Sequence, residues 1–303
     1  MILSVVIITH NEEANIGRTL ASVQPLVADG KGEIIVVDSG STDRTVEIAK
    51  SFGAKVFIEE WKGYAAQKNS AIDKATGDWI LSLDADESLE SGTASTVHLL
   101  ISKPDGFTET ELRNMARAEG GDSLAQVEMV VAFEEALDVT PPKSAEDIPL
   151  ALSGYWLPRK NFFLGRWIMH GGFWPDPKLR LFHRGYGRFE DHAVHETLKV
   201  VGYTARLKSG ALLHHSYPTL ADYIDHMNHY SSLGAEMAVA KGPHGFSLFN
   251  IVLRPIATFI YNYFFRLGFL DGREGLLLHL YHAVYVSWKY AKAWELARKK
   301  ESS

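Results

Sequence analysis

Apolar and polar positions fall in alternating blocks along the first ninety residues. Leu3-Ser4-Val5-Val6-Ile7-Ile8-Thr9 is a nearly continuous β-branched run that stops at His10-Asn11-Glu12-Glu13. A short apolar run bounded by polar residues predicts a strand buried on both faces. Asn15 to Leu26 then carries Ile16, Leu20 and Val23 at helical spacing. Glu33 to Val37 is a second apolar run, ending at Asp38. The polar turn Ser39-Gly40-Ser41-Thr42-Asp43 follows, and Thr42 or Asp43 is a candidate cap for a helix reaching Phe52. Ala54 to Ile58 reads as a third strand, Trp61-Lys62-Gly63-Tyr64 as a loop, and Gln67 to Ala75 as a helix. The run Trp79 to Leu83 ends in Asp84-Ala85-Asp86-Glu87. Strand and helix alternate with short links, which predicts right-handed βαβ units and an α/β fold with a mostly parallel sheet.

Ligands of such sheets bind outside the carboxyl ends of the strands. Here those ends carry Thr9, Asn11 and Glu12, then Asp38, then Asp84 and Asp86. Three polar clusters at three strand ends on one edge say more than any one of them. Clustered carboxylates repel unless a cation sits among them, and hard oxygen ligands suit Mg²⁺ or Mn²⁺, which would in turn neutralise a phosphate. The plain alternative for Asp84-x-Asp86 is a solvated acidic turn. No Gly-x-Gly-x-x-Gly follows the first run and no Gly-Lys-Ser/Thr loop occurs, which argues against a dinucleotide site or a P-loop.

The pattern changes further along. Residues 103–147 hold 11 acids and 4 bases and read as an acidic helical insertion. Between Gly154 and Phe189, aromatics alternate with Arg, His and Gly, a mixture equally suited to sugar stacking and to packing. Arg188 to Glu196 is dense in carboxylates and histidines, the residue types of general bases. Asp191 doubles as a possible cap for a helix carrying Glu196. Lys208 to Leu213 predicts a strand followed by the pair His214-His215, of which His214 is a candidate metal ligand. From Tyr223 the pattern is helical. Phe246–Leu270 and Gly275–Trp288 are rich in Phe, Tyr, Leu and Ile, but uninterrupted apolar length falls short of the ~20 residues of a membrane span.

Charge and composition narrow the reading. A formal net charge of −6 argues against general nucleic-acid binding, and the absence of cysteine excludes disulfides and thiolate metal sites. The start of the chain reads as a first strand, with no basic segment of a signal peptide. Residues 241–303 nevertheless carry 9 bases against 4 acids. Aromatic, apolar and basic together, residues 246–300 predict helices lying at a membrane interface. The alternative is a helical hairpin packed on the first domain or on a second copy of the chain, a homo-oligomer.

Ile8 to Glu13, Val37 to Asp43, Gln67-Lys68-Asn69 and Leu83 to Glu87 together resemble the motifs of family 2 glycosyltransferases of the GT-A fold. Trp61 to Tyr64, Val194-His195-Glu196, His214 to Tyr217 and Gly268 to Gly272 resemble the bacterial lipopolysaccharide-core β-1,4-glucosyltransferase-like branch. The resemblance implies a GT-A catalytic domain over 1–220, interrupted near 103–147, with a helical appendage over 221–303. It implies a nucleotide diphosphate sugar donor, with Thr9, Asn11, Glu12, Asp38, Lys68 and Asp84 around the nucleotide. A carboxylate at Asp38 suits a uracil N3–H, which favours a UDP-sugar. Asp84, Asp86 and His214 are the implied ligands of Mg²⁺ or Mn²⁺.

Inversion at the anomeric carbon needs a carboxylate to deprotonate the acceptor hydroxyl. Asp191 and Glu196 compete for that role, with Asp191 favoured. The implied acceptor is a glycan or glycolipid, at the cytoplasmic face of the membrane. Transfer to a polyprenyl phosphate is an alternative, and a sugar nucleotidyltransferase a more distant one.

Overall fold

The computed structural model describes residues 2–102, 127–128, 152–191, 196–208, 210–242 and 245–301. The expected insertion at 103–147 lies outside the described residues except for the strand Val127–Glu128. The chain divides into two compact units. One comprises 1–159, 177–191 and 196–214; the other comprises 160–176, 192–195 and 215–303.

The first unit is α/β. Strands β1 (Leu3–Thr9), β2 (Gly32–Asp38), β3 (Lys55–Ile58) and β4 (Trp79–Asp84) pair in parallel in the order β3-β2-β1-β4. They alternate with α1 (Ile16–Val27), α2 (Thr45–Ser51) and α3 (Tyr64–Lys74). Helix α3 starts three residues before the expected Gln67, because Gly63 at φ 93° makes the turn that the Trp61-to-Tyr64 loop was to occupy. The β-branched runs fill two layers of core, one on each face of the sheet. Val5 and Ile7 lie with α1, while Val6, Ile35 and Val37 lie with Ala71 and Ile72 of α3. This period-two division is why both faces of each run are apolar.

After β5 (Glu87–Leu89) and α4 (Thr93–Ile101) the sheet continues differently. With β6 denoting Val127–Glu128, the remaining strands of this unit are β7 (Leu152–Leu157), β10 (Lys178–His183), β11 (Gly187–Glu190), β12 (Thr197–Val200) and β13 (Tyr203–Leu207). The large sheet runs on from β4 as β10-β7-β13-β6, with β10 antiparallel to both neighbours. The α/β expectation therefore holds, with a parallel half and a mixed half. β14 spans Leu212–Tyr217, and its first three residues pair with β5.

Two local expectations are corrected. His214 and His215 lie inside β14, not after it, and successive strand residues point to opposite faces. Glu196 is not helical and leads into strand β12, so the helix expected to carry it is not there, and residues 192–195 between it and Asp191 lie outside the described residues.

The second unit joins the hairpin β8 (Arg159–Phe163) and β9 (Arg166–Ile168), from Lys160 onward, to helices α5 (Leu220–Ala240), α6 (Arg254–Ile260) and α7 (Gly272–Glu301). Thr219 and Asp222 close α5 with a capping box. Its core gathers Phe163, Ile168, Tyr223 and Leu278. Buried Asp271 accepts from the backbone N–H groups of Met169 and His170 (3.2 and 2.8 Å) and lies 3.0 Å from His170 Nδ1. His279, 1% exposed, fills the space beside Gly171 and Gly268, where an added Cβ would lie 2.0 and 2.2 Å from its ring.

Candidate active site

Parallel register sets the site. Thr9 pairs with Asp38, and Ile8 with Asp84, so the polar residues after β1, β2 and β4 end level with one another. Asp38 is wholly buried and saturated. Its Oδ1 accepts from the N–H groups of Gly40 and Ser41 at 3.0 and 2.8 Å, and its Oδ2 from the hydroxyls of Thr9 and Ser41 at 2.9 and 2.5 Å. Four donors occupy the lone-pair sites of the carboxylate, so Asp38 shapes its own turn. Asn11, at φ 54°, accepts from Thr42 N–H at 2.8 Å and ties the first turn to the second. The Glu12 backbone N–H donates to Thr45 at 2.7 Å. Burial, with Asp86, Asp43 and Asp84 nearby, raises the Glu12 carboxyl above the ordinary range despite its bond from Asn15.

Beside this turn lies a chain of alternating charges. Lys68, 3% exposed, sits 2.7 Å from Asp84 Oδ1 and 2.6 Å from Glu196 Oε1. Arg180 sits 2.5 Å from Asp84 Oδ2 and 2.9 Å from Glu87 Oε1, and Arg159 lies 3.0 Å from Glu87. Three cations thus alternate with three carboxylates from Arg159 to Glu196. Burial alone would raise Asp84, but Arg180 and Lys68 outweigh it and hold the carboxyl far below its usual range. Burial works against the charge of Arg180 too, and is outweighed by Asp84 and Glu87, which raise its pKa. Removing charges from water is costly, and here the alternating cations offset that cost for carboxylates that would otherwise repel one another. Among the described residues, Arg180 Nε and both amide atoms of the fully buried Gln67 have no hydrogen-bond partner.

Asp86 lies apart from that chain, 3.2 Å from His214 Nε2. Burial raises its carboxyl and His214 lowers it further, leaving it below the ordinary value. The register His214↔Glu87 brings this imidazole to the acidic turn. A carboxylate oxygen and an imidazole nitrogen form a partial ligand set. The imidazole nitrogen suits Mn²⁺ better than the all-oxygen preference of Mg²⁺, and the remaining positions on such an ion would fall to substrate phosphate oxygens and water. Among the described residues no three of His, Cys, Asp and Glu gather as a metal site. Asp84, expected to share the metal, is instead occupied by two cations on its two oxygens.

Asp191 is exposed, one residue beyond β11. Asn69 of α3 fixes that strand by exchanging two hydrogen bonds with the Phe189 backbone (2.8 and 3.0 Å). The structure therefore brings Lys68, Asp84 and Glu196 together, and Asp86 with His214, while Asp191 stands at the edge of the strand that Asn69 holds. Arg159 and Arg180 also belong to the site, though the sequence pattern does not single them out. Arg180 had one signal, a cation at alternating position between Leu179 and Leu181 of an apolar strand; Arg159 had none.

Residues 4–104 match the family model described as glycosyl transferase family 2. An uncharacterised glycosyltransferase of Rickettsia typhi is 27% identical, with 98% of this chain and 88% of the relative covered. The lipopolysaccharide core biosynthesis glycosyltransferase LpsC of Rhizobium meliloti is 26% identical over 97% of this chain and 92% of its own. Among solved structures, glucosyl-3-phosphoglycerate synthase from Mycobacterium tuberculosis, in complex with UDP, is 34% identical over 28% of this chain and 33% of its own, with a TM-score of 0.26. S. aureus TarS 1–349 covers 99% of this chain and 92% of its own at 16% identity, with a TM-score of 0.38.

Proposed function

We propose that this chain, which carries a family 2 glycosyltransferase domain, transfers a sugar from a nucleotide diphosphate sugar, with UDP as the nucleotide, to a glycan or glycolipid acceptor with inversion at the anomeric carbon. The observation that carries the reading is Lys68. One buried ammonium holds Asp84 of the strand-end motif and Glu196, 128 residues away, so donor-side and acceptor-side carboxylates meet at one group.

The chemistry follows from the side chains. The turn built on Asp38, Asn11 and Thr9 receives the nucleoside. Lys68 turns part of its charge toward the diphosphate as a point cation. Asp86 and His214 would hold a divalent ion, which would supply Lewis-acid stabilisation of the departing diphosphate. Asp191 takes the proton from the acceptor hydroxyl as that oxygen bonds to the anomeric carbon. The bond from that carbon to the diphosphate breaks, and its electron pair leaves with the nucleotide. Glu196 orients Lys68 and the acceptor.

The working place is the inner face of the cytoplasmic membrane, with an acceptor of lipopolysaccharide core or related surface glycan. The LpsC relative supports the acceptor class. The basic, aromatic residues 246–300 support the location, and no helix among the described residues is long and apolar enough to cross a membrane.

Asp191→Asn and Glu196→Gln, assayed separately at saturating donor, test the assignment. Asp191→Asn should lower kcat by about 10²–10⁴ with donor affinity kept. Glu196→Gln should weaken both donor and acceptor binding. Near-normal turnover in Asp191→Asn would remove it as the base.

A further inference from the structure

Residues 248–265 of the second unit follow a pattern that an ordinary α-helix does not sustain. The exposed positions are 248/249, 252/253, 256/257, 260/261 and 264/265, with Arg254 beside them. The first ten are Leu, Phe, Val, Leu, Ile, Ala, Ile, Tyr, Phe and Phe, in pairs recurring every four residues. At about 100° per residue, a row spaced by four drifts about 40° per step, or about 160° from 248 to 264. Such a row would wind round to the far side of the helix.

Here it does not. The turns Phe249–Leu253 and Tyr261–Phe265, on either side of α6, are π-helical. Arg254 N–H donates to Phe249 C=O and Arg266 N–H to Tyr261 C=O (2.9 Å), five residues back in each case. These wider turns advance fewer degrees per residue and cancel the drift. The opposite row also keeps period four and faces inward: Ile251 C=O accepts from Ser287 at 2.8 Å, Pro255 is buried, and Tyr263 lies against His279.

Two rows of large apolar side chains, 40–75% exposed apart from Ala257, thus make one straight ridge. The apolar exposure continues through Leu267, Phe269 and Leu270 and onto Leu276 and Leu280 of α7. Monomeric proteins seldom leave so contiguous an apolar patch bare. Arg254, Arg266 and Arg273 are exposed along it, and residues 241–303 carry a net charge of +5 from 9 bases and 4 acids. A second copy meeting this face would bring like charge to like charge. An anionic lipid leaflet brings the opposite charge and an apolar interior together.

We propose that the 248–265 ridge is the membrane-contacting face, lying in the plane of an anionic leaflet with its period-four rows immersed. This rests on the membrane-peripheral part of the proposed function and names the surface that makes the contact. The chain contains no cysteine, so single cysteines introduced into the full-length protein can be labelled with an environment-sensitive nitrobenzoxadiazole. Leu248→Cys, Val252→Cys, Ile256→Cys, Ile260→Cys and Phe264→Cys should each shift to the blue on phosphatidylglycerol/phosphatidylcholine vesicles. Ile251→Cys, Phe259→Cys and Tyr263→Cys should not, and pure phosphatidylcholine should reduce the shift in the first group.

Unlabelled Ile256→Asp should lose about tenfold in vesicle affinity with its melting curve unchanged, while Ile58→Asp, more exposed but outside the ridge, should lose none. Co-sedimentation of the native chain without a period-four label profile would overturn the ridge and leave the membrane reading standing. Absence of co-sedimentation would overturn both. A native dimer split by Ile256→Asp would assign the ridge to a second copy and overturn the lipid proposal.

Discussion

The strand-end site and the 248–265 ridge depart from ordinary burial in opposite directions. At the site, charged groups are taken out of water: Lys68, Arg180 and Glu87 are 3%, 7% and 0% exposed. On the ridge, large apolar groups are left in water, Phe265 being 75% exposed. Each arrangement is unfavourable for an isolated chain, and buried charge and bared apolar surface are the two departures that carry information. The site resolves its difficulty internally, because each cation faces two carboxylates or each carboxylate two cations along most of the chain of charges. The ridge has nothing of this kind within its own helices and needs an outside surface. The contrast separates buried charges that answer one another from apolar side chains that nothing in their own helices covers.

The sharpest way to break the site is to remove its middle. Arg180→Met leaves Asp84 and Glu87 short of a buried partner, and stability to urea should fall by about 3–5 kcal/mol. Activity should fall with it at temperatures where the protein stays folded. A loss within experimental error of zero would mean that water enters the site freely.

In the second unit, Gly268→Ala would set a methyl 2.2 Å from His279 Nε2 and 2.9 Å from the Asn262 carbonyl. Overpacking of this kind costs about 1–3 kcal/mol. Chemical denaturation should show it. Vesicle binding by the ridge should weaken as well if the turn at 268 holds the ridge in place.

Acid should separate the two units. Burial, assisted by His282, lowers His279 to about 4 from an ordinary 6.5. The unfolded chain binds that proton first, so this part of the second unit's stability is present above pH 6.5 and is lost as pH falls toward 4. In the first unit, Glu33 is buried against ionisation, but Lys55, Thr76 and Ser4 hold it down to about 2 from 4.5. Its contribution is present above pH 4.5 and is lost only as pH falls toward 2. Hydrogen exchange followed by fragment mass should show α7 amides opening at a higher pH than those of β2. His279→Phe should remove the earlier step if the larger ring is accommodated, and simultaneous opening of both regions would refute the separation.

Much of the first unit was legible in advance because its signals are local. Runs such as Val5 to Ile8 and Ile34 to Val37 are β-branched, end in polar residues and alternate with amphipathic helices, so strand, helix and pairing sense follow from adjacent residues. The mixed half was not legible. β10 pairs antiparallel with β4 across nearly a hundred residues, and nothing near Lys178 announces that partner. Helix α3 began early because a glycine turn, not a side chain, marks its start. His214 was placed beyond a strand that in fact contains it, since two polar imidazoles interrupt the apolar pattern there.

By itself the sequence determined which chemistry is available: carboxylates at three strand ends, a lysine in Gln67-Lys68-Asn69, and a basic, aromatic tail. Only the tertiary structure decided who meets whom. Lys68 takes Glu196, Arg180 takes Asp84 and Glu87, and Asp86 takes His214, because an ion pair is a matter of a few ångströms and ignores separation along the chain. The ridge divides the same way. Its period of four is written in residues 248–265, but whether such a row winds around a helix or runs straight depends on the hydrogen-bond spacing of the backbone, and that was settled by the π turns.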